Sequence, residues 1–260
     1  MQQYTPGRFS ILPPVVKNLL IINGLFYLAT IVLNRFDIHL VDILGLRYFG
    51  SDLFKPFQLV TYMFMHSDQS FTHILFNMFA LWMFGYAIEN FWGPKRFLIY
   101  YLITGIGAAL LHYGVFYLEH MKFLVPINDY LSNPESMEYK EKVAYILRNL
   151  TIPPMTAENI NVEIVETIKA KILDAPVVVG ASGAVFGILL AFGVMFPNTV
   201  IYLYFAFPIK AKWFVVLYGV LELYFGISNK GEGGVAHFAH IGGMLIGLIL
   251  LKYWKVKRLN

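Results

Sequence analysis

The stretch Gly180-Ala181-Ser182-Gly183-Ala184-Val185-Phe186-Gly187 opens an apolar run that continues to Phe196, and Ala236-His237-Phe238-Ala239-His240-Ile241-Gly242-Gly243 opens another that continues to Trp254. A bilayer crossing takes about 20 apolar residues, so each run is long enough to be a transmembrane helix. Each carries a polar side chain near its start. Such groups are expensive at membrane depth, which makes Ser182 and His240 functional candidates by default.

The rest of the chain has the same character. It is 58% hydrophobic and only 14% charged, with a mean hydropathy of +0.60, and its apolar residues fall in blocks rather than alternating with polar ones. That is the composition of a membrane protein. The chain has no cysteine, which removes disulfides, thiol nucleophiles and thiolate-held metals together. Chemistry must therefore run on Ser, His, carboxylates or a metal held by them. The net charge of +4 is spread over short segments between the blocks, so it reads as a topology signal and not as a nucleic-acid surface. No cleavable leader is expected, because the first block begins only after Pro13-Pro14 and no small-residue cleavage site follows it.

Six spans are predicted, over Val15 to Leu33, Thr72 to Ile88, Phe97 to Leu118, Val177 to Phe196, Trp213 to Ile227 and Val235 to Trp254. The apolar pieces Phe57 to Phe64 and Ile201 to Phe207 are too short to cross. The first reads as a half-buried loop segment and the second as a similar one closed by Pro208. Arg8 and Lys17, Lys95 and Arg96, Lys210 and Lys212, and the tail Lys252, Lys255, Lys257 and Arg258 all fall on one side of such an arrangement. The positive-inside rule puts that side, with both termini, in the cytoplasm of a cell (inner) membrane. Residues 1–260 then form one membrane domain, and 119–175 is an insertion outside the membrane between the third and fourth spans. Within it, Val143, Ile146, Leu147 and Leu150 keep helical spacing, as do Val162, Val165, Ile168 and Ile172, with Pro153-Pro154 between them. Two amphipathic surface helices are expected. The sequon Asn149-Leu150-Thr151 carries no weight without a source.

On this topology Ser182 and His240 lie at similar depth. Gly183 and Gly187 form one GxxxG pair, and Gly243 and Gly247 form another on the same helical face as His240. A small-residue serine of this kind is often only a packing residue. Two such faces packed together, however, would bring hydroxyl and imidazole within reach, and an imidazole that takes the serine proton makes the oxygen a nucleophile. His73 and Asn77, one turn apart on the second span, are helix glue in the plain reading. Beside a Ser/His pair they become donors to a developing oxyanion, together with the Ser182 backbone N–H.

These residues resemble the rhomboid family of intramembrane serine proteases. His73 with Asn77, Gly180-x-Ser182-Gly183, and Ala239-His240-x-Gly242-Gly243 match in the family's order over roughly Leu19 to Lys252, leaving out the third-to-fourth loop. The resemblance implies an all-α, six-transmembrane-helix bundle. It implies Ser182 as nucleophile, His240 as general base, and His73, Asn77 and the Ser182 amide as oxyanion donors, with Gly180, Gly183, Phe186 and Gly243 in support. It also implies transmembrane protein segments as substrates and no metal or other cofactor. The chain departs from many relatives in having Arg47 with Tyr48 and Phe49 where they carry Trp-Arg, and Phe186 where they carry Tyr. A catalytically inactive rhomboid-like chaperone and an enzyme with a metal held by His66, His73, His237 and His240 are the alternatives. No carboxylate is expected beside the Ser/His pair, and none well inside a span, which sets a transporter aside.

Overall fold

The computed structural model describes residues 10–68, 71–148, 156–175, 177–203, 206–228 and 237–259. Arg8, the sequon, Pro153-Pro154 and Val235-Ala236 lie outside them. The chain is mostly helical: α1 (Pro14–Asn34), α2 (Leu40–Leu44), α3 (Gln58–Thr61), α4 (Phe71–Trp92), α5 (Pro94–Ser132), α6 (Met137–Leu147), α7 (Val162–Asp174), α8 (Ser182–Met195), α9 (Ala211–Ser228) and α10 (His237–Tyr253). Short strands β1 (Leu46–Arg47), β2 (Val177–Val178), β3 (Val200–Leu203) and β4 (Phe207–Lys210) lie between them. Helices α1, α4, α5 and α9 are long and apolar enough to cross a membrane, while α8 and α10 are apolar but shorter. Contacts divide the chain into two compact units, one of residues 1–46, 56–112 and 178–260, the other of residues 47–55 and 113–177.

In the first unit the helices turn their apolar side chains outward. Along α9, Val216, Leu217, Val220, Leu221, Leu223 and Tyr224 are exposed, while Ala211, Phe214, Val215 and Gly226 are buried. A water-soluble helix would do the reverse, and lipid is the solvent that accepts this pattern. Several of the buried polar groups are paired within the protein. Pro14 starts α1 at the position where a missing N–H costs nothing. The next two N–H groups, of Val15 and Val16, donate to the two oxygens of Glu89 at 2.9 and 2.7 Å. A buried carboxylate from α4 thus caps the positive end of α1, satisfying donors that have no partner within their own helix. Asn23 and Thr30 return their donors to carbonyls one turn back, at 2.8 and 2.9 Å.

Several expected boundaries shift, each for a local reason. The fourth apolar run begins as a helix only at Ser182, because Gly180 takes φ +124° and breaks the chain direction there. Fourteen residues of α8 span about 21 Å, less than the ~30 Å apolar thickness. Phe57 to Phe64 is not plain loop: α3 and a 3-10 turn at Tyr62–Phe64 bury Gln58, Tyr62 and Met63. Ile201 to Phe207 is not closed by Pro208 either. Strands β3 and β4 pair antiparallel, with Tyr202 opposite Pro208. A two-stranded sheet has outer edges, so a proline without N–H is tolerated there.

In the second unit the third apolar run overshoots its expected end at Leu118, since α5 runs on to Ser132 with Pro126 inside it. Ile127 and Tyr130 from this extension pack with Val143, Ala144 and Leu147 of α6, Val165 of α7, and Ile160. The Asn161 side chain accepts the Ile164 N–H at 2.9 Å and caps α7. At the other end of that helix, Arg47 Nη1 donates to the Asp174 carbonyl at 2.5 Å and Ser51 Oγ donates to the Asp174 carboxylate at 2.5 Å. Tyr113 OH donates to the Arg47 carbonyl, and Tyr48 stacks edge-on against Tyr113. Arg47 and Tyr48 are therefore structural members of this unit.

Removing the Glu89 acceptors should leave two buried N–H groups without partners. Glu89→Leu is expected to lower unfolding free energy in mixed detergent micelles by about 2–4 kcal/mol. A change under 0.5 kcal/mol would show that water replaces the carboxylate.

Candidate active site

Helices α8 and α10 meet backbone to backbone. A Cβ built on Gly243 would fall 1.8 Å from the Gly183 carbonyl oxygen, and one on Gly247 would fall 3.4 Å from Gly187 Cα and 2.4 Å from Tyr100 Oη. Neither position admits a side chain. Tyr100 donates its hydroxyl to the Gly187 carbonyl at 2.9 Å, so the close approach leaves that acceptor paired. Ala108 and Thr104 of α5 also pack on Gly183 and Gly187, where a Cβ would come within 2.7 and 2.8 Å of them. The fit fixes both the separation of α8 and α10 and their relative slide along the axis.

Ser182 is the first residue of α8 and His240 lies one turn into α10. With the helices locked, His240 Nε2 sits 2.8 Å from Ser182 Oγ. The His240 side chain is only 10% exposed. The Phe186 ring, one turn after Ser182, stacks on it at 4.3 Å between centroids and 5° between planes, which restricts its rotation. Position 186 therefore supplies a flat packing surface without a hydroxyl.

Gly180 precedes this turn. Its backbone N–H donates to the Tyr62 carbonyl at 3.0 Å, and the Tyr62 hydroxyl donates to the Gly105 carbonyl at 2.8 Å. The 3-10 turn and α5 thus hold the approach to Ser182. A Cβ on Gly180 would lie 3.1 Å from His73 Cε1, 3.2 Å from His73 Nε2 and 3.5 Å from Ser182 Oγ. The open side of Gly180 is thus a slot between the His73 ring and the serine hydroxyl. Ser182 opens α8, and the first-turn N–H groups of a helix have no partner within it and carry the positive end of its dipole. Asn77 is buried and donates Nδ2 to the His73 carbonyl at 3.0 Å, which leaves its amide a second N–H. Beside the slot lies His66, fully buried, its ring 5.2 Å from that of His73. Burial pushes its pKa down to about 4, so it is neutral at ordinary pH.

One member of the site contradicts the sequence reading. Glu222 lies within α9, well inside the fifth span, and its Oε2 accepts from His240 Nδ1 at 2.9 Å and from His237 Nδ1 at 2.7 Å. A carboxylate does stand beside the Ser/His pair. The signal was present: Glu222 is the one acidic residue of an otherwise apolar helix, and such a residue marks a functional site by default. The metal-ligand set differs from expectation as well. Among the described residues, the side chains close enough to share an ion are Glu222, His237 and His240, without His66 or His73.

Comparison with known proteins places these features in a family. The Rhomboid domain model matches residues 54–123 and 155–255, more than half of the chain. Rhomboid protease AarA of Providencia stuartii is 27% identical over 190 residues, covering 72% of this chain and 52% of that protein. RHOMBOID-like protein 12, mitochondrial, of Arabidopsis thaliana is 26% identical, covering 74% of this chain and 44% of that protein. Rhomboid protein 1, mitochondrial, of Saccharomyces cerevisiae is 25% identical, covering 70% and 38%. The chain thus spans about half, or less, of the length of the curated relatives it matches.

The glycine contact yields a test. Gly243→Val must push α8 and α10 apart, so reaction of Ser182 with an alkyl fluorophosphonate should fall at least 100-fold, whereas Gly24→Val, at a position with open space around it, should leave it unchanged. Equal labelling of the two variants would mean that the glycine contact does not set the Ser182–His240 distance.

Proposed function

This chain belongs to the rhomboid family, and on that premise we propose that it is an intramembrane serine endopeptidase that cleaves transmembrane segments of other membrane proteins. The observation that carries the reading is the 2.8 Å contact between His240 Nε2 and Ser182 Oγ. Ser182 Oγ attacks the scissile carbonyl while Nε2 of His240 takes its proton. The oxyanion forms in the slot beside Gly180, where the Ser182 N–H, His73 and the second N–H of the Asn77 amide donate to it. His240 then passes its proton to the leaving amine, and water hydrolyses the acyl-enzyme. The Ser182 hydroxyl needs a peptide that is extended at the scissile bond, so substrates carry helix-breaking or small residues there.

Six helices cross the membrane on this reading, with α8 and α10 as the two short members, and residues 1–260 form one membrane domain carrying the 119–175 insertion on the side away from the termini. The short α8 then sinks Ser182 below the membrane surface, within reach of water but flanked by lipid. Lys95, Arg96, Lys210, Lys212 and the C-terminal cations lie on the cytoplasmic side of a cell membrane.

In vesicles with a single-pass substrate, Ser182→Ala and His240→Ala should each lower turnover by several orders of magnitude, and the double variant should be no worse than the worse single one. Cleavage by Ser182→Ala at the wild-type rate would end the serine reading. Loss of cleavage to a chelator would favour the metal alternative. His73→Ala should cost about 10²- to 10³-fold in kcat, the usual loss for one oxyanion donor, with KM little changed. His237→Ala should keep at least a tenth of wild-type turnover. If it falls to background while His240→Ala does not, the base has been assigned one turn too deep on α10.

A further inference from the structure

We infer that Glu222 is a positioning residue that holds His240 in the orientation and tautomer needed to take the Ser182 proton, so the site works as three side chains in series and not as a pair. The inference rests on the proposed roles of Ser182 and His240.

A neutral imidazole carries one N–H, and the partner of one ring nitrogen decides which nitrogen bears it. Glu222 Oε2 is a carboxylate oxygen and can only accept. At 2.9 Å from His240 Nδ1 it selects the Nδ1–H form, which turns the free lone pair of Nε2 toward Ser182 Oγ at 2.8 Å. The ring is then held at both nitrogens and on one face by Phe186. When His240 becomes imidazolium after taking the serine proton, the new positive charge forms directly beside the carboxylate. In a site this shielded from water, that contact opposes the charge cost that a bare pair would carry alone.

His237 explains why the carboxylate is oriented. It stands one turn before His240 and donates Nδ1 to the same Oε2 at 2.7 Å, while the Phe225 ring lies 5.7 Å from its own. Glu222 is only 13% exposed in its side chain. Two N–H donors at one oxygen compensate part of its burial and pin it between α9 and α10. The hydrogen-bond lengths are those of a carboxylate–imidazole cluster, in which His237 Nε2 is buried without a hydrogen-bond partner, and the same three groups have the chemistry to take a divalent cation.

The test uses the full chain in lipid vesicles. Histidine labelled with nitrogen-15 reports the tautomer of His240 by NMR, with the His240→Ala spectrum as the assignment. In the wild type Nδ1 should be the protonated nitrogen and Nε2 the free one. Glu222→Gln should lower kcat, and the rate of fluorophosphonate labelling at Ser182, by about 10³- to 10⁴-fold, the loss seen when a catalytic histidine loses its carboxylate partner. The thermal midpoint and KM should stay close to wild type. An Nε2–H tautomer in the wild type would overturn the inference whether or not the variant folds, as would labelling of a folded Glu222→Gln within threefold of wild type. Labelling lost to a chelator and restored by zinc would also overturn it, assigning the three groups to an ion. A wild-type Ser182 that does not label would sink the serine reading instead, and the tautomer would still decide the place of Glu222.

Discussion

The backbone contact between α8 and α10 is the constraint on which the site depends. Two helices with ordinary side chains pack about 8–10 Å apart. At Gly183 and Gly243 nothing but hydrogen separates the chains, and a single added Cβ would overlap a carbonyl oxygen. Only at that separation do Ser182, at the start of one helix, and His240, one turn into the other, come within hydrogen-bond range. Lipid supplies no hydrophobic force to press helices together, so close packing of small residues and buried hydrogen bonds must do it. The Tyr100 hydroxyl on the Gly187 carbonyl is one such bond.

Several buried polar groups of the first unit are handled by one device, a partner on a neighbouring helix or one turn back on the same one, although both ring nitrogens of His66 and the Trp92 N–H are buried without one. Glu89 caps α1, Tyr62 reaches Gly105, and Glu222 gathers two histidines. The first two are structural, because they satisfy backbone groups that would otherwise be orphaned. Glu222 differs in kind. It spends a buried carboxylate on two side chains, one of which touches the serine, and a purely structural role would not require that.

The second unit follows other rules. Its helices α6 and α7 are amphipathic, begin at Ser136 and Asn161 side-chain caps, and fold over the extended end of α5. The spacing of Val143, Ile146 and Leu147, and of Val162, Val165, Ile168 and Ile172, made both helices legible. The extension of α5 was not, because Leu118 is followed by Glu119, His120 and Lys122, polar residues that end an apolar run without ending a helix. Arg47 was equally opaque: its partner, the Asp174 carbonyl, lies 127 residues away.

Local sequence carries the membrane class, the apolar runs and the small-residue faces holding Ser182 and His240, because lipid demands contiguous apolar stretches and helical periodicity is local. It also ordered His73, Ser182 and His240 along the chain in the family's pattern. Tertiary packing alone settles that α8 begins only at Ser182, that the missing Cβ of Gly180 faces His73, and that Glu222 reaches His240 from a third helix. Those facts depend on how each helix is rotated and slid against its neighbours. That is set by the sum of contacts around it, such as Gly243 on Gly183, and no stretch of one helix records the angle at which another will present its side chains.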